Sequence, residues 1–368
     1  MYNCHSHIFN SKCAPDRFIG VPIARLMSNN KISFWLVRGL RNIIKNDKDD
    51  FFEKYANFLE IGRKKSQELV FEDLRMNYPG STRFIVLTID MDYMGAGDAI
   101  LNFRSQIHEV INIKRKYPNI FFPFLGIDPR RSDENNLLDF LKLHIEKLGF
   151  YGIKLYPGLG FYPFDPRLSK IYEYAENNHL PIIVHCTKRG IYYRGRNFTS
   201  EQLKPKNIDG EYLDAYDFTD QRHLKNSEFK NKFTDPSNYE LVLKKFPALK
   251  ICFAHLGGND EIKEYLKKAS TDNWYFKVKN LMKDYQNVYT DISYTLYDHE
   301  VFDTLKNDIK DNSIRNKILF GTDFFMTIRE KPESILVRDF RQIITEQDLV
   351  LISQQNPRQF LKSRFFNL

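Results

Sequence analysis

Two hydrophobic patterns alternate along the chain. Short runs that are almost wholly apolar, and rich in β-branched and aromatic residues, occupy 83–89 (RFIVLTI), 120–127 (IFFPFLGI), 152–156 (GIKLY), 181–185 (PIIVH), 250–255 (KICFAH), 288–292 (VYTDI) and 317–321 (KILFG). Positions 2–8 read as an eighth, at the very start. Such runs suit strands buried on both faces, as in a parallel sheet. Between them lie amphipathic stretches of helical length, among them 99–116, 135–148, 168–178, 239–246 and 333–344. Strand alternating with helix predicts a parallel α/β fold. Eight strands with intervening helices point to a closed (β/α)8 TIM barrel rather than an open sheet. No GxGxxG follows the first strand, which weakens a dinucleotide-binding reading.

The spacing of the runs supports the barrel and locates its irregularities. A (β/α)8 barrel of ordinary size allots roughly 31 residues to each unit. Lys154 and His185 stand 31 positions apart, and His255 and Asp323 stand 68 apart with one run between them. His185 and His255 are 70 apart, so that unit carries an insertion, at 187–236. The first unit is also long, with its excess near 15–65, where helical periodicity persists around 32–44 and 51–61. Both insertions follow strands 1 and 5 and so belong at the C-terminal mouth, where barrel enzymes keep their active sites and long loops form lids or pocket walls. No internal repeat, low-complexity tract or Pro/Gly-rich linker divides the chain, and residues 1–368 are expected to form a single domain.

Composition narrows the class. The 368 residues are 42% hydrophobic and 28% charged, in the range of a soluble globular protein. The 31 Phe and 21 Tyr read first as a compositional bias. The net charge of +8 is scattered among 47 acids, without a basic tract, zinc-finger spacing or aromatic RNA-binding signature. Nucleic acid is therefore not an expected partner, whereas a small anionic substrate is. The apolar patch 32–40 is interrupted by Arg38 and too short to span a bilayer. Cys4, Cys13, Cys186 and Cys252 form no CxxC pair, and no basic-then-apolar leader opens the sequence, so the cytoplasm is the expected compartment. A homo-oligomer is compatible with all of this.

The candidate chemistry sits at strand ends. In Cys4-His5-Ser6-His7, alternation places His5 and His7 on one strand face, and Cys4 and Ser6 on the face toward the helices. An isolated HxH is as readily a pair of core histidines. However, His185, His255 and Asp323 each stand one step past an apolar run, where a barrel puts catalytic groups. His5, His7, His185 and Asp323 make a donor set suited to one divalent ion, zinc first, with manganese or iron(II) also accommodated. Asp323 is placed to act as general base toward a metal-activated water. His255 is placed to polarise a substrate oxygen or to hold a second ion, one ion being the expectation. Lys154 ends the fourth run, and three roles stay open for it: a carboxylated metal bridge, a cation for a substrate carboxylate, or an ordinary ion pair. Arg130, in Asp128-Pro129-Arg130, together with Arg189 and Tyr192 in the 187–236 insertion, are candidate substrate-binding residues. Lys188, Arg194, Arg196 and Tyr193 share that insertion. Asp291 is expected to be structural, and Asp90 and Asp92 to cap a loop.

HxH on strand 1, Lys on strand 4, His on strands 5 and 6, and Asp on strand 8 resemble the amidohydrolase superfamily. HLGG at 255–258, GTD at 321–323 and Asn356-Pro357-Arg358 are similar to motifs of its amidohydrolase-related (family 2) branch. The likeness spans nearly the whole chain outside the two insertions. It implies a TIM-barrel enzyme in which His5, His7, His185 and Asp323 are metal ligands and His255 is catalytic. It further implies that Lys154, in KLYP, matches a lysine that some relatives carboxylate. The branch includes hydrolases, lactonases, decarboxylases and hydratases. The expected activity is hydrolysis of an ester, lactone or amide of a small acid, with a lyase reaction as the alternative.

Overall fold

A computed structural model describes residues 1–18 and 61–366. Eight strands, β1 (Tyr2–Ser6), β2 (Arg83–Leu87), β3 (Phe121–Ile127), β4 (Gly152–Leu155), β5 (Ile182–Val184), β6 (Ile251–Phe253), β7 (Val288–Asp291) and β8 (Ile318–Leu319), lie in sequence order. Each pairs in parallel with the next. The ends of the sheet meet: Cys4 N–H donates to the Phe320 carbonyl at 2.8 Å, and His7 N–H to the Phe324 carbonyl at 3.0 Å. The barrel closes through this seam. All eight apolar runs are strands, and the anticipated helices form at Phe103–Lys116, Glu134–Lys142 (prolonged by Leu143–Lys147), Ser169–Asn177, Asn238–Lys245 and Glu333–Ile343.

Alternation along the strands divides the core in two. Phe84, Val86, Ile153, Leu155, Ile182, Val184, Ile251 and Phe253 pack outward against the helices. Ile85, Leu87, Phe122, Phe124, Ile183, Cys252, Ala254 and Tyr289 fill the bore, which Phe360 and Leu361 of the helix Asn356–Leu361 help to plug. Each buried Val, Leu, Ile or Phe side chain among them contributes about 1.5–3 kcal/mol relative to exposure. This interior is packed solid, so chemistry is confined to the mouth. Asn356 secures β8 at the base, donating from Nδ2 to the carbonyls of Arg315 and Ile318, both at 2.8 Å.

One expectation about orientation is corrected. Cys4 does not face the helices; it belongs to the bore-filling cluster, together with Tyr2. The register between β1 and β2 shifts between Asn3 and Ser6, so the strand changes phase there and both Cys4 and His5 point inward.

The 187–236 insertion is built rather than loose. It contains the helices Ser200–Leu203 and Asn226–Thr234, the latter held by Phe229 and Phe233 in a buried aromatic cluster with Tyr162 and Phe218. The first insertion, with its expected helical stretches at 32–44 and 51–61, lies almost entirely outside the described residues. Among the described residues no helix is long and apolar enough to cross a membrane.

Candidate active site

His5 and His7 arrive from β1 with their imidazoles already oriented. His5 Nδ1 donates to Asp291 Oδ2 at 2.8 Å, and His7 Nδ1 donates to the Leu87 carbonyl at 2.8 Å. A carboxylate and a carbonyl can only accept, so each ring carries its proton on Nδ1 and presents a bare Nε2. Both lone pairs face one carboxylate: Asp323 Oδ1 lies 3.6 Å from His5 Nε2 and 3.4 Å from His7 Nε2. Gly321 permits this approach, since a Cβ there would stand 2.8 Å from His5 Cβ. The ligand atoms of His5, His7 and Asp323 all fall within 4.8 Å of one another.

His255 completes a row of rings. Its centroid is 4.9 Å from that of His5 and 5.2 Å from that of His185. Its Nδ1 donates to the Ser293 carbonyl at 3.1 Å and to Ser293 Oγ at 2.9 Å, which again leaves Nε2 bare. Burial, the largest influence on each, pushes His5, His7 and His185 well below the usual imidazole range and His255 down to about 3. Neutral imidazoles are what a metal requires. His5 Nε2 is also buried without a hydrogen-bond partner among the described residues. An unpaired nitrogen beside a second bare nitrogen and a carboxylate fits a divalent cation.

His185 is less committed. It stacks flat on Tyr156, with ring centroids 4.1 Å apart, and its Nε2 donates to the Arg189 carbonyl at 3.0 Å. It lines the pocket but stands outside the compact group. Lys154 projects into the bore, buried, and its Nζ makes no hydrogen bond with any described residue. Among the described residues it forms no ion pair either. Burial lowers its ammonium to about 8, against the pull of Asp291 and Asp323.

Asp291 is the residue the sequence reading undervalued. Beyond His5 it accepts the backbone N–H groups of His255 and Ser293, both at 3.0 Å, and the Ser293 hydroxyl. Its place at the end of β7 carried the same strand-end signal as the other site residues. Tyr156, two residues past Lys154, was also passed over. It supports His185 and accepts the Ile191 N–H at 3.0 Å.

Backbone strain gathers at the same place. Six non-glycine residues among those described have positive φ, and three of them, His255 (69°), Tyr294 (59°) and Asp323 (61°), line the pocket. In the HLGG run all four residues have positive φ. Such conformations cost of order 1–3 kcal/mol each at non-glycine positions and persist where they aim functional groups. The pocket has a volume of about 200 Å³, with apolar walls from Phe9, Ile89, Ile191 and Met326.

The proposed substrate-binding residues divide. Arg189 lines the pocket, but its guanidinium is paired with Asp260 at 2.6 and 2.9 Å. Arg130 is turned away: it pairs with Asp128 at 2.5 Å, donates to the Leu159 carbonyl at 3.1 Å and borders a separate cleft. Tyr192 does not line the pocket; its ring lies beneath the Arg194 guanidinium, 4.0 Å away. Asp90 and Asp92 do more than cap a loop, since together they clamp Arg131.

Eight parallel strands with polar groups converging at their C-terminal mouth define a TIM-barrel enzyme. The amidohydrolase family profile matches residues 88–362, three quarters of the chain, and the protein belongs to that family. Solved structures share the fold at low identity. They include a 4-oxalomesaconate hydratase from Rhodopseudomonas palustris (14% identity, 98% of this chain and 95% of that chain covered, TM-score 0.53). A probable 2-pyrone-4,6-dicarboxylic acid hydrolase from Acinetobacter baumannii is similar (13%, 98% and 98%, 0.52). So is a dihydroxybenzoic acid decarboxylase from Polaromonas with bound manganese (15%, 98% and 97%, 0.50). No curated relative matches the chain in sequence.

Proposed function

We propose that the protein is a metal-dependent hydrolase of a small carboxylic acid derivative, an ester, lactone or amide. The observation that carries the reading is the convergence of the bare Nε2 atoms of His5 and His7 on Asp323. His5, His7 and Asp323 would hold one divalent ion, and His185, the fourth residue of the set, stands across the pocket. An ion there would lower the pKa of a water toward about 7 and polarise a carbonyl.

The remaining roles fall to the chain. Asp323 accepts the proton of the attacking water and passes it to the leaving group. The His255 imidazole, held by Ser293, offers its Nε2 to the substrate, and Lys154 supplies positive charge deep in the bore. The apolar walls exclude bulk water. Zinc or manganese suits the N/O donors, and the four buried free thiols agree with a reducing, cytoplasmic setting.

A lyase reaction is the second reading. It is favoured by His255, whose rigidly held neutral ring could move a proton to or from a substrate carbon. The known relatives that are a hydratase and a decarboxylase share this fold.

Chelation followed by readdition of zinc or manganese tests the proposal, against a panel of lactones, amides and aromatic acids. Turnover should vanish and return. Asp323→Asn should lower kcat by about 10²–10⁴-fold in a folded barrel, the range for losing a positioned base. Full turnover in that variant, or in metal-free protein, would refute the mechanism.

A further inference from the structure

The carboxylate of Asp291 serves two histidine rings, one directly and one through an intermediary. His5 meets it directly, Nδ1 donating to Oδ2 at 2.8 Å. The His255 ring reaches the other oxygen through Ser293. Its Nδ1 lies 2.9 Å from Ser293 Oγ, and that hydroxyl is hydrogen-bonded to Asp291 Oδ1. A hydroxyl has one proton to give, and a carboxylate can only accept. Ser293 Oγ therefore donates to Asp291 and accepts the Nδ1 proton of His255. One hydrogen-bonded chain runs from His255 through Ser293 to Asp291, and His5 joins it from the other side.

The hydroxyl is separable from the turn that carries it. Asp291 Oδ1 also accepts the Ser293 N–H at 3.0 Å, closing an Asx turn, and the Ser293 carbonyl accepts from His255 Nδ1 at 3.1 Å. Any residue at 293 would supply that N–H and that carbonyl. Only a hydroxyl side chain connects the imidazole to the carboxylate charge. The carbonyl contact is the longer of the two and is neutral, so the hydroxyl carries the stronger restraint.

The surroundings are arranged for this contact. Asp291 and Ser293 are fully buried and His255 nearly so, which shields the chain from water and strengthens each bond in it. A Cβ at Gly321 would stand 3.3 Å from Ser293 Cβ, so the glycine leaves room for the serine. The left-handed backbone at His255 and at Tyr294 turns both segments where they meet.

We propose that Ser293 is a positioning residue whose hydroxyl ties His255 to the carboxylate that aims His5. One frame then points both bare Nε2 atoms, that of His5 toward the ion and that of His255 toward the substrate. The inference rests on the proposed function for the roles of the two rings. It adds that the metal-holding and proton-handling groups are not aimed independently. Loss of the hydroxyl should loosen the His255 ring while leaving the metal ligands in place.

Nuclear magnetic resonance of the full chain with 15N-labelled histidine tests this with zinc added and again after chelation. His255→Gln identifies the signals of that ring. In the wild type Nδ1 should be protonated, Nε2 bare and the Nδ1 proton slow to exchange. In Ser293→Ala the Nδ1 proton should move upfield and exchange at least about tenfold faster, the effect of one lost hydrogen bond. Asp291→Asn should disturb the same proton, although its side chain does not touch that ring. Circular dichroism confirms folding, and Ser293→Ala carries the test should Asp291→Asn fail to fold. With a substrate found among the lactones, amides and aromatic acids, Ser293→Ala should lower kcat about tenfold and change KM less than about twofold, since a misaimed group costs rate rather than binding. His255 signals in Ser293→Ala that match the wild type would overturn the inference, as would a His255 ring unaffected by Asp291→Asn. Absence of turnover, or of metal binding, would count against the proposed function alone, because the imidazole signals need neither.

Discussion

At the scale of single residues, the protonation of each imidazole follows from what its Nδ1 meets. Asp291 is central because its carboxylate fixes the His5 tautomer and also braces His255 and Ser293. Asp291→Asn keeps the shape but replaces a pure acceptor with a group that can donate. Metal affinity should fall by about 10–100-fold, as is usual when a partner behind a ligating histidine is lost. Competition with a chromophoric chelator measures this, and an unchanged affinity would show that His5 is oriented by packing alone. The ligand candidates were legible because His5, His7, His255 and Asp323 stand at the ends of apolar runs. Asp291 carried the same mark, but an acid at a strand end gives no sign of whether it faces a metal or a histidine. Arg130 and Arg189 illustrate the opposite limit. A cation in a mouth loop attracts attention, yet only folding reveals that Asp128 and Asp260 already claim these two.

At the scale of elements, β1 and β8 are locked by a buried polar relay behind the site. Asn3 Nδ2 donates to Thr322 Oγ1 at 2.8 Å, and Thr322 Oγ1 donates to Glu333 Oε1 at 2.7 Å, with Tyr78 hydrogen-bonded to the same carboxyl. Burial raises Glu333 from 4.5 to about 7. The folded protein therefore favours the protonated acid. Its stabilising contribution is complete below about pH 4.5 and is lost as pH rises through 7, a change of about 3 kcal/mol. Thermal melts of wild type and Glu333→Gln should reveal it. The wild type should gain relative to the variant at pH 5 and lose relative to it at pH 7.5, and parallel pH profiles would exclude this role. The strands themselves were readable because burial on both faces leaves continuous apolar runs. The phase change at Asn3–Ser6 was not, since a register shift depends on the neighbouring strand and leaves no trace in the alternation of one segment. The insertion at 187–236 was located from spacing alone, whereas its helix Asn226–Thr234 takes its position from aromatic contacts with distant Tyr162 and Phe218.

At the scale of the whole molecule, the candidate metal ligands straddle the one place where the sheet must join its own ends. An ion held by His5, His7 and Asp323 would cross-link β1 to the segment after β8, so binding should stabilise the fold. With metal at a hundred times its dissociation constant the gain should be about 2.7 kcal/mol. A calorimetric melt reads it, and a melting temperature indifferent to metal would place the ion elsewhere. The seam has a further consequence for biosynthesis. Asn3 and Thr322, which bond across it, are 319 positions apart. A ribosome releases β1 first and must make almost the entire chain before its second partner exists. Until then the two histidines of β1 lack their carboxylate. A chain stalled or cleaved before Asp323 could not assemble the triad, and metal uptake would mark the moment at which translation has delivered a closed barrel.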